Sequence, residues 1–176
     1  DPIDIDNAEY EDLSFDNKIL KKKRMDEQRG YKLPNDVYEK NRLIRKEYQE
    51  NFINDDIKIM VATNAFGMGI DKPNIRWVLH YNMPQSIENY YQEIGRAGRD
   101  GEDSECVLLF SPGDVHTQKY LVEVGIENPE RKRVQYKKLQ QIVDLVYSNT
   151  CYRKNILNYF GEIFLEDCNN CSNCLN

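Results

Sequence analysis

The feature that most restricts the fold is the succession of apolar runs and glycine-bearing breaks between residues 57 and 110. Ile57-Lys58-Ile59-Met60-Val61-Ala62 turns fully apolar at its end, as a strand buried on both faces does. A loop over 63–74 holds glycines and Pro73. Ile75 to Tyr81 reads as a second strand, and Ser104 to Phe110 as a third. Between these two, Pro84-Gln85-Ser86 punctuates the chain, and Ser86 caps a helix predicted from Ile87 to about Arg99, ended by Asp100-Gly101. Strand, crossover, strand, helix, strand is the order of a parallel sheet with helices packed on it. Ligands gather at the C-terminal ends of such strands, so the loops after Ala62 and Tyr81 begin where a ligand would lie.

The predicted helix closes with Gly95-Arg96-Ala97-Gly98-Arg99. Arginines three residues apart share one side of a helix. The glycines beside them remove bulk, and no carboxylate stands between them. The pair therefore reads either as surface ion-pair partners or as a receptor for an anion from elsewhere, a nucleotide phosphate being the obvious candidate. The loop from Thr63 to Lys72, with Gly67-Met68-Gly69 and Asp71, adds glycines whose amides can approach phosphate, although turn glycines are common.

Elsewhere the pattern is helical. Asn35 or Asp36 caps a helix in which Val37, Ile44, Tyr48 and Phe52 recur to about Ile53. Ser111-Pro112-Gly113-Asp114 opens another, to about Val124. Asn128-Pro129 begins a new unit with a long amphipathic helix to about Asn149 and five basic residues in 131–138; such a basic face is usually solvated, and backing a nucleic-acid strand is its sharper alternative. Cys151 starts a shorter helix through Phe160, stopped by Gly161. Residues 1–16 carry seven acids and no Lys or Arg, a solvated segment by pattern. His80 and His116 are assigned no chemistry, and Tyr90-Tyr91 reads as packing.

Five cysteines are present, and three of them crowd into the last nine residues. Cys151, Cys168, Cys171 and Cys174 give C-x16-C-x2-C-x2-C, a spacing that can close a tetrahedral four-thiolate zinc site with no position left for catalysis. An iron–sulfur cluster and disulfides are the competing readings. Cys106, in an apolar strand, reads as a core residue. The net charge of −6 argues against a chain coated in basic residues but not against a local basic track. No apolar run approaches a membrane span, and the expectation is a soluble, intracellular protein.

Three stretches carry a resemblance. Val61-Ala62-Thr63-Asn64-Ala65-Phe66-Gly67-Met68-Gly69-Ile70-Asp71-Lys72-Pro73-Asn74 resembles helicase motif V of the RecQ family. Tyr91-Gln92-Glu93-Ile94-Gly95-Arg96-Ala97-Gly98-Arg99-Asp100-Gly101 resembles its motif VI. Asn158-Tyr159-Phe160-Gly161-Glu162, inside the four-cysteine spacing, is similar to its zinc-binding subdomain, and the upstream Arg45, Gln49 and Phe52 also fit.

The resemblance implies an α/β fold: a partial RecA-like, P-loop NTPase-type parallel sheet with flanking helices over residues 35–127, then a helical zinc-binding subdomain over 128–176, with residues 1–34 unassigned. It implies the second motor lobe of an ATP-dependent DNA helicase moving 3′ to 5′ in repair and recombination. Arg99 would then act on the γ-phosphate as an arginine finger, with Arg96 beside it. Gln92, Asp71 and Gly69 would contribute to the nucleotide, and Thr63 and Asn64 to DNA. Zn2+ would be structural, with ATP and Mg2+ held together with a first lobe. The family's histidine segment before Arg45 has no counterpart here, and three strands are too few for a complete lobe. No GKS-type phosphate loop and no DExH box occur in the 176 residues. The chain is thus expected to be a fragment, inactive on ATP by itself. The alternative is a non-catalytic zinc-stabilised module that binds DNA or protein. The implied location is the nucleoid in a bacterium and the nucleus in a eukaryote.

Overall fold

The computed structural model describes residues 35–63 and 70–175, in two units that divide after Lys72. In the first, α1 (Asn35–Ile53) occupies the predicted helix. It ends in a turn at Asn54–Asp56, where Asp55 takes a left-handed φ of 67°. Lys72 is buried, and its ammonium returns to this turn, 2.7 Å from Asp55 Oδ1 and 3.3 Å from the Ile53 carbonyl. The same ammonium lies 5.4 Å from the centre of the Phe52 ring. Residues 57–62 form no strand, contrary to the sequence expectation. Apolar content creates a demand for burial, but a strand also needs a hydrogen-bonding neighbour, and none pairs with this run among the described residues.

The second unit contains β1 (Trp77–His80), α2 (Ile87–Ile94), β2 (Glu105–Leu108), α3 (Pro112–Gly125), α4 (Pro129–Val146), α5 (Tyr152–Tyr159) and the short α6 (Ser172–Leu175). β1 and β2 pair in parallel, Trp77 opposite Glu105 and His80 opposite Leu108. This is an α/β fold with a small parallel sheet, mostly helical and followed by a helical cysteine-bearing region.

The helix boundaries follow their caps. Ser86 accepts from the Asn89 amide at 3.2 Å, Ser111 and Asp114 make a reciprocal capping box ahead of Pro112, and Asn128 accepts from the Arg131 amide at 3.0 Å ahead of Pro129. α5 stops at Phe160. Gly161, at φ 87°, donates to the Asn158 carbonyl and Glu162 to the Leu157 carbonyl, each at 3.0 Å, the paired bonds of a Schellman motif.

One core joins these elements. Met83 and Ile87, around the start of α2, pack with Leu139, Ile142 and Leu145 of α4 and Ile156 of α5. Met83 and Ile142 are almost wholly enclosed. Each such side chain contributes about 1.5–3 kcal/mol by burial. The helix that leads to the arginines and the helices that lead to the cysteines therefore rest on the same apolar contacts.

Candidate functional sites

The arginines lie on a turn and not on the helix predicted to carry them. α2 ends at Ile94 with Gly95 as its cap. The Arg96 and Ala97 amides still donate back to Glu93 and Ile94, at 3.3 and 3.1 Å, but the Gly98 amide leaves the helical ladder and donates to the Ile75 carbonyl at 3.0 Å. That bond holds the turn to the strand entry. Gly98 stands at φ 63°, and a Cβ there would lie 2.6 Å from Ser104 Oγ and 2.9 Å from the Glu102 carbonyl. The turn requires glycine for both conformation and space. The Asp100 amide donates to the Pro73 carbonyl at 3.3 Å, and the Arg76 guanidinium pairs with the Asp100 carboxylate while donating to the Asp103 carbonyl at 3.3 Å. Residues 95–100 are thus sewn to the segment entering β1.

Arg99 is exposed, and its Nε donates to the Gly95 carbonyl at 3.3 Å; Arg96 is half-buried. Burial, with the Arg99 charge next to it, draws the Arg96 guanidinium below its ordinary value, while Glu93 opposes the shift. Two cations held near each other on a glycine-bearing turn favour an incoming anion of high charge. Gln92 is exposed on the last turn of α2. Thr63 and Asp71 are exposed in the first unit, and Asn64 and Gly69 lie outside the described residues.

Two partnerships here carried no sequence signal. Arg76 and Asp100 are 24 residues apart, and His80 and Glu93 are 13 apart. The His80 Nε2 and Glu93 Oε2 atoms are 2.7 Å apart and enclosed. Tyr91 is exposed and not in the core, and it packs its ring 5.0 Å from that of Phe160, at the end of α5.

The four cysteines meet. Cys151, Cys168, Cys171 and Cys174 place their sulfurs within 4.8 Å of one another, with no disulfide among them. The separations are 3.8 Å for Cys168–Cys174, 4.0 Å for Cys151–Cys171 and 3.4 Å for Cys171–Cys174. A tetrahedron with Zn–S bonds of about 2.3 Å has sulfurs about 3.8 Å apart, so the cluster fits a four-thiolate zinc. Backbone amides point at the sulfurs: Cys168 N and Lys154 N at Cys151, Tyr152 N at Cys171, and Cys171 N at Cys168, over 3.3–3.5 Å. Such bonds stabilise thiolate. Burial pushes the Cys171 thiol up, but the Tyr152 amide and the Cys174 and Cys168 thiols outweigh it and bring it down to about 6. Burial, with Cys171 and Cys151 taking up the charge first, pushes Cys174 to about 12. Four thiolates in one place need a cation. Asn173, in the last spacer, donates to the Ser148 and Thr150 carbonyls at 2.7 and 2.8 Å, tying the cluster to the loop before α5.

Cys106 is exposed and not in the core, because β2 has a single neighbouring strand among the described residues. No helix among the described residues is long and apolar enough to cross a membrane.

Comparison with known proteins agrees with this geometry. The model of the helicase conserved C-terminal domain matches residues 12–101, and that of the RecQ zinc-binding domain matches residues 112–175. The chain belongs to the RecQ helicase family. It is 54% identical over 131 residues to the ATP-dependent DNA helicase RecQ of Bacillus subtilis, covering 74% of this chain and 22% of that protein. It is 46% identical over 134 residues to the protein of the same name from Haemophilus influenzae, covering 75% and 21%. It is 49% identical over 124 residues to a putative ATP-dependent RNA helicase of Acanthamoeba polyphaga mimivirus, covering 70% and 22%. The chain spans about a fifth of the length of these relatives.

Proposed function

We propose that this chain supplies the second motor lobe of an ATP-dependent DNA helicase that moves 3′ to 5′ on single-stranded DNA, together with that helicase's zinc-binding subdomain. The observation that carries the reading is the turn at residues 95–100, which needs glycine at 98, is bonded to the strand entry at Pro73–Arg76, and presents Arg96 and Arg99 together. Its chemistry is electrostatic. Arg99 meets the γ-phosphate of a nucleotide bound by a first lobe and offsets the charge that develops in transfer, a role worth about 10³–10⁵ in rate. Arg96 holds the same phosphate from its half-buried position. Gln92, Asp71 and Gly69 orient the nucleotide, whose Mg2+ belongs with the first lobe, and Thr63 and Asn64 contact the DNA backbone. Closing and opening of the cleft with the nucleotide cycle then alternates the grip on the strand.

Cys151, Cys168, Cys171 and Cys174 would hold one Zn2+. The ion closes the loop of residues 151–174 and leaves no coordination position for chemistry. Residues 35–127 serve the motor and 128–176 the zinc subdomain.

The test is an ATPase assay with and without a RecQ-type first lobe. The chain alone hydrolyses no ATP, because it carries neither a GKS-type loop nor a DExH box, and DNA-stimulated hydrolysis appears when the lobe is added. DNA-stimulated hydrolysis by the chain alone would overturn the reading. DNA binding with no gain in hydrolysis on adding the lobe would leave a non-catalytic binding module.

A further inference from the structure

The turn bearing Arg96 and Arg99 is gripped at both ends by the short segment from Arg76 to His80. At the solvent end, Arg76 pairs with Asp100, where the Asp100–Pro73 and Gly98–Ile75 backbone bonds act in parallel. At the buried end, His80 is the last residue of β1, and its Nε2 lies 2.7 Å from Glu93 Oε2, with side-chain exposures of only 8% and 13%. Glu93 joins two functions in one residue. Its carboxylate is fixed to the sheet, and its main-chain carbonyl accepts the amides of Gly95 and Arg96, the first residues of the turn. The Tyr90 ring packs on the imidazole at 5.2 Å, inclined by 57°.

The other ring nitrogen, His80 Nδ1, is buried with no hydrogen-bond partner among the described residues. A carboxylate only accepts, so Nε2 carries the hydrogen of this contact and donates it to Glu93. Glu93 already acts on the Arg96 guanidinium, so the place where its carboxylate is held bears on that charge.

We infer that His80 is a positioning residue for the arginine turn, its Nε2–H holding Glu93 against the sheet and so setting where Arg96 and Arg99 stand. Its catalytic consequence rests on the nucleotide role proposed above, whereas its geometry does not.

Glutamine can place an amide N–H near the position of Nε2, and asparagine falls short of it, so His80→Gln and His80→Asn separate this bond from polarity alone. In the 176-residue chain, nitrogen NMR should show a hydrogen on His80 Nε2 at pH 7. The arginine Nε–Hε signals of Arg96 and Arg99 should move in His80→Asn and stay near wild type in His80→Gln. With the first lobe added, His80→Asn should lower kcat for ATP about tenfold with KM within about twofold, and His80→Gln should restore it. Hydrogen on Nδ1 and none on Nε2, or arginine signals indifferent to both variants, would overturn the inference. So would an equal loss in both variants that follows a fall in melting temperature. Arg99→Ala serves as the control: if it leaves hydrolysis unchanged, the nucleotide reading fails, and the NMR measurements still decide the role of His80.

Discussion

At the scale of single residues, Gly98 and Glu88 each turn a local constraint into a measurable dependence. A Cβ at position 98 would meet Ser104 and the Glu102 carbonyl inside van der Waals distance, at a φ that side chains avoid. Gly98→Ala should therefore cost about 1–3 kcal/mol of stability, read by denaturant unfolding, and any folded protein should carry displaced arginines. Glu88, at the start of α2, lies 2.7 Å from the Lys138 ammonium on α4. Burial pushes its carboxyl up, but Lys138, a backbone amide and Ser86 outweigh this and bring it from 4.5 down to about 2. A depressed carboxyl stabilises the fold above its ordinary value, and that stabilisation is lost as pH falls from 4.5 towards 2. Because the pair is about one-third exposed, solvent screening limits it to about 1 kcal/mol. Glu88→Gln should lower stability at pH 7 by that amount and flatten the acid side of the stability profile. Sequence spacing could show the arginines and their glycines. It could not show His80–Glu93, Arg76–Asp100 or Lys72–Asp55, because each pairing is made by the path of the chain through space and leaves no periodicity behind.

Among the elements, legibility followed the hydrogen-bonding chemistry of the termini. α2, α3 and α4 begin where Ser86, Ser111 and Asn128 announce them, and α5 stops where Gly161 does, since a cap is a local event written in a few adjacent residues. The end of α2 at Ile94 escaped the same treatment because the turn that follows it is held by a bond from Gly98 to Ile75, across a loop. Residues 57–62 escaped it because a strand is a property of a pair. The cysteine cluster was legible in spacing, and its loop geometry follows from amides aimed at sulfur. Removing the metal should be felt beyond it: Cys151 caps α5, and Ile156 of that helix shares the core with α4 and α2. The purified chain should be colourless and hold one zinc, whereas a brown protein would mean iron–sulfur. Chelation or Cys171→Ser should lower the melting temperature of the whole second unit. Unchanged melting of the second unit on metal loss would show that the cluster is not structural.

On the scale of the whole molecule, the proposed division of labour gives this chain the cations and a first lobe the phosphate. Its net charge is −6, so an anion is drawn by the local pair at Arg96 and Arg99 and not by the overall field. The two described units each hold part of the proposed machinery, Thr63 and Asp71 in one and Gln92, Arg96 and Arg99 in the other. The helices that frame the cysteine cluster share a core with α2, the helix that precedes the arginine turn, so a zinc held there would bear on that turn through packing alone. The most direct measurement is ATP hydrolysis by the two-lobe assembly with Arg99→Ala. The account predicts a fall in kcat of about 10³-fold or more with zinc content, folding and DNA binding retained. Hydrolysis at the wild-type rate would contradict it.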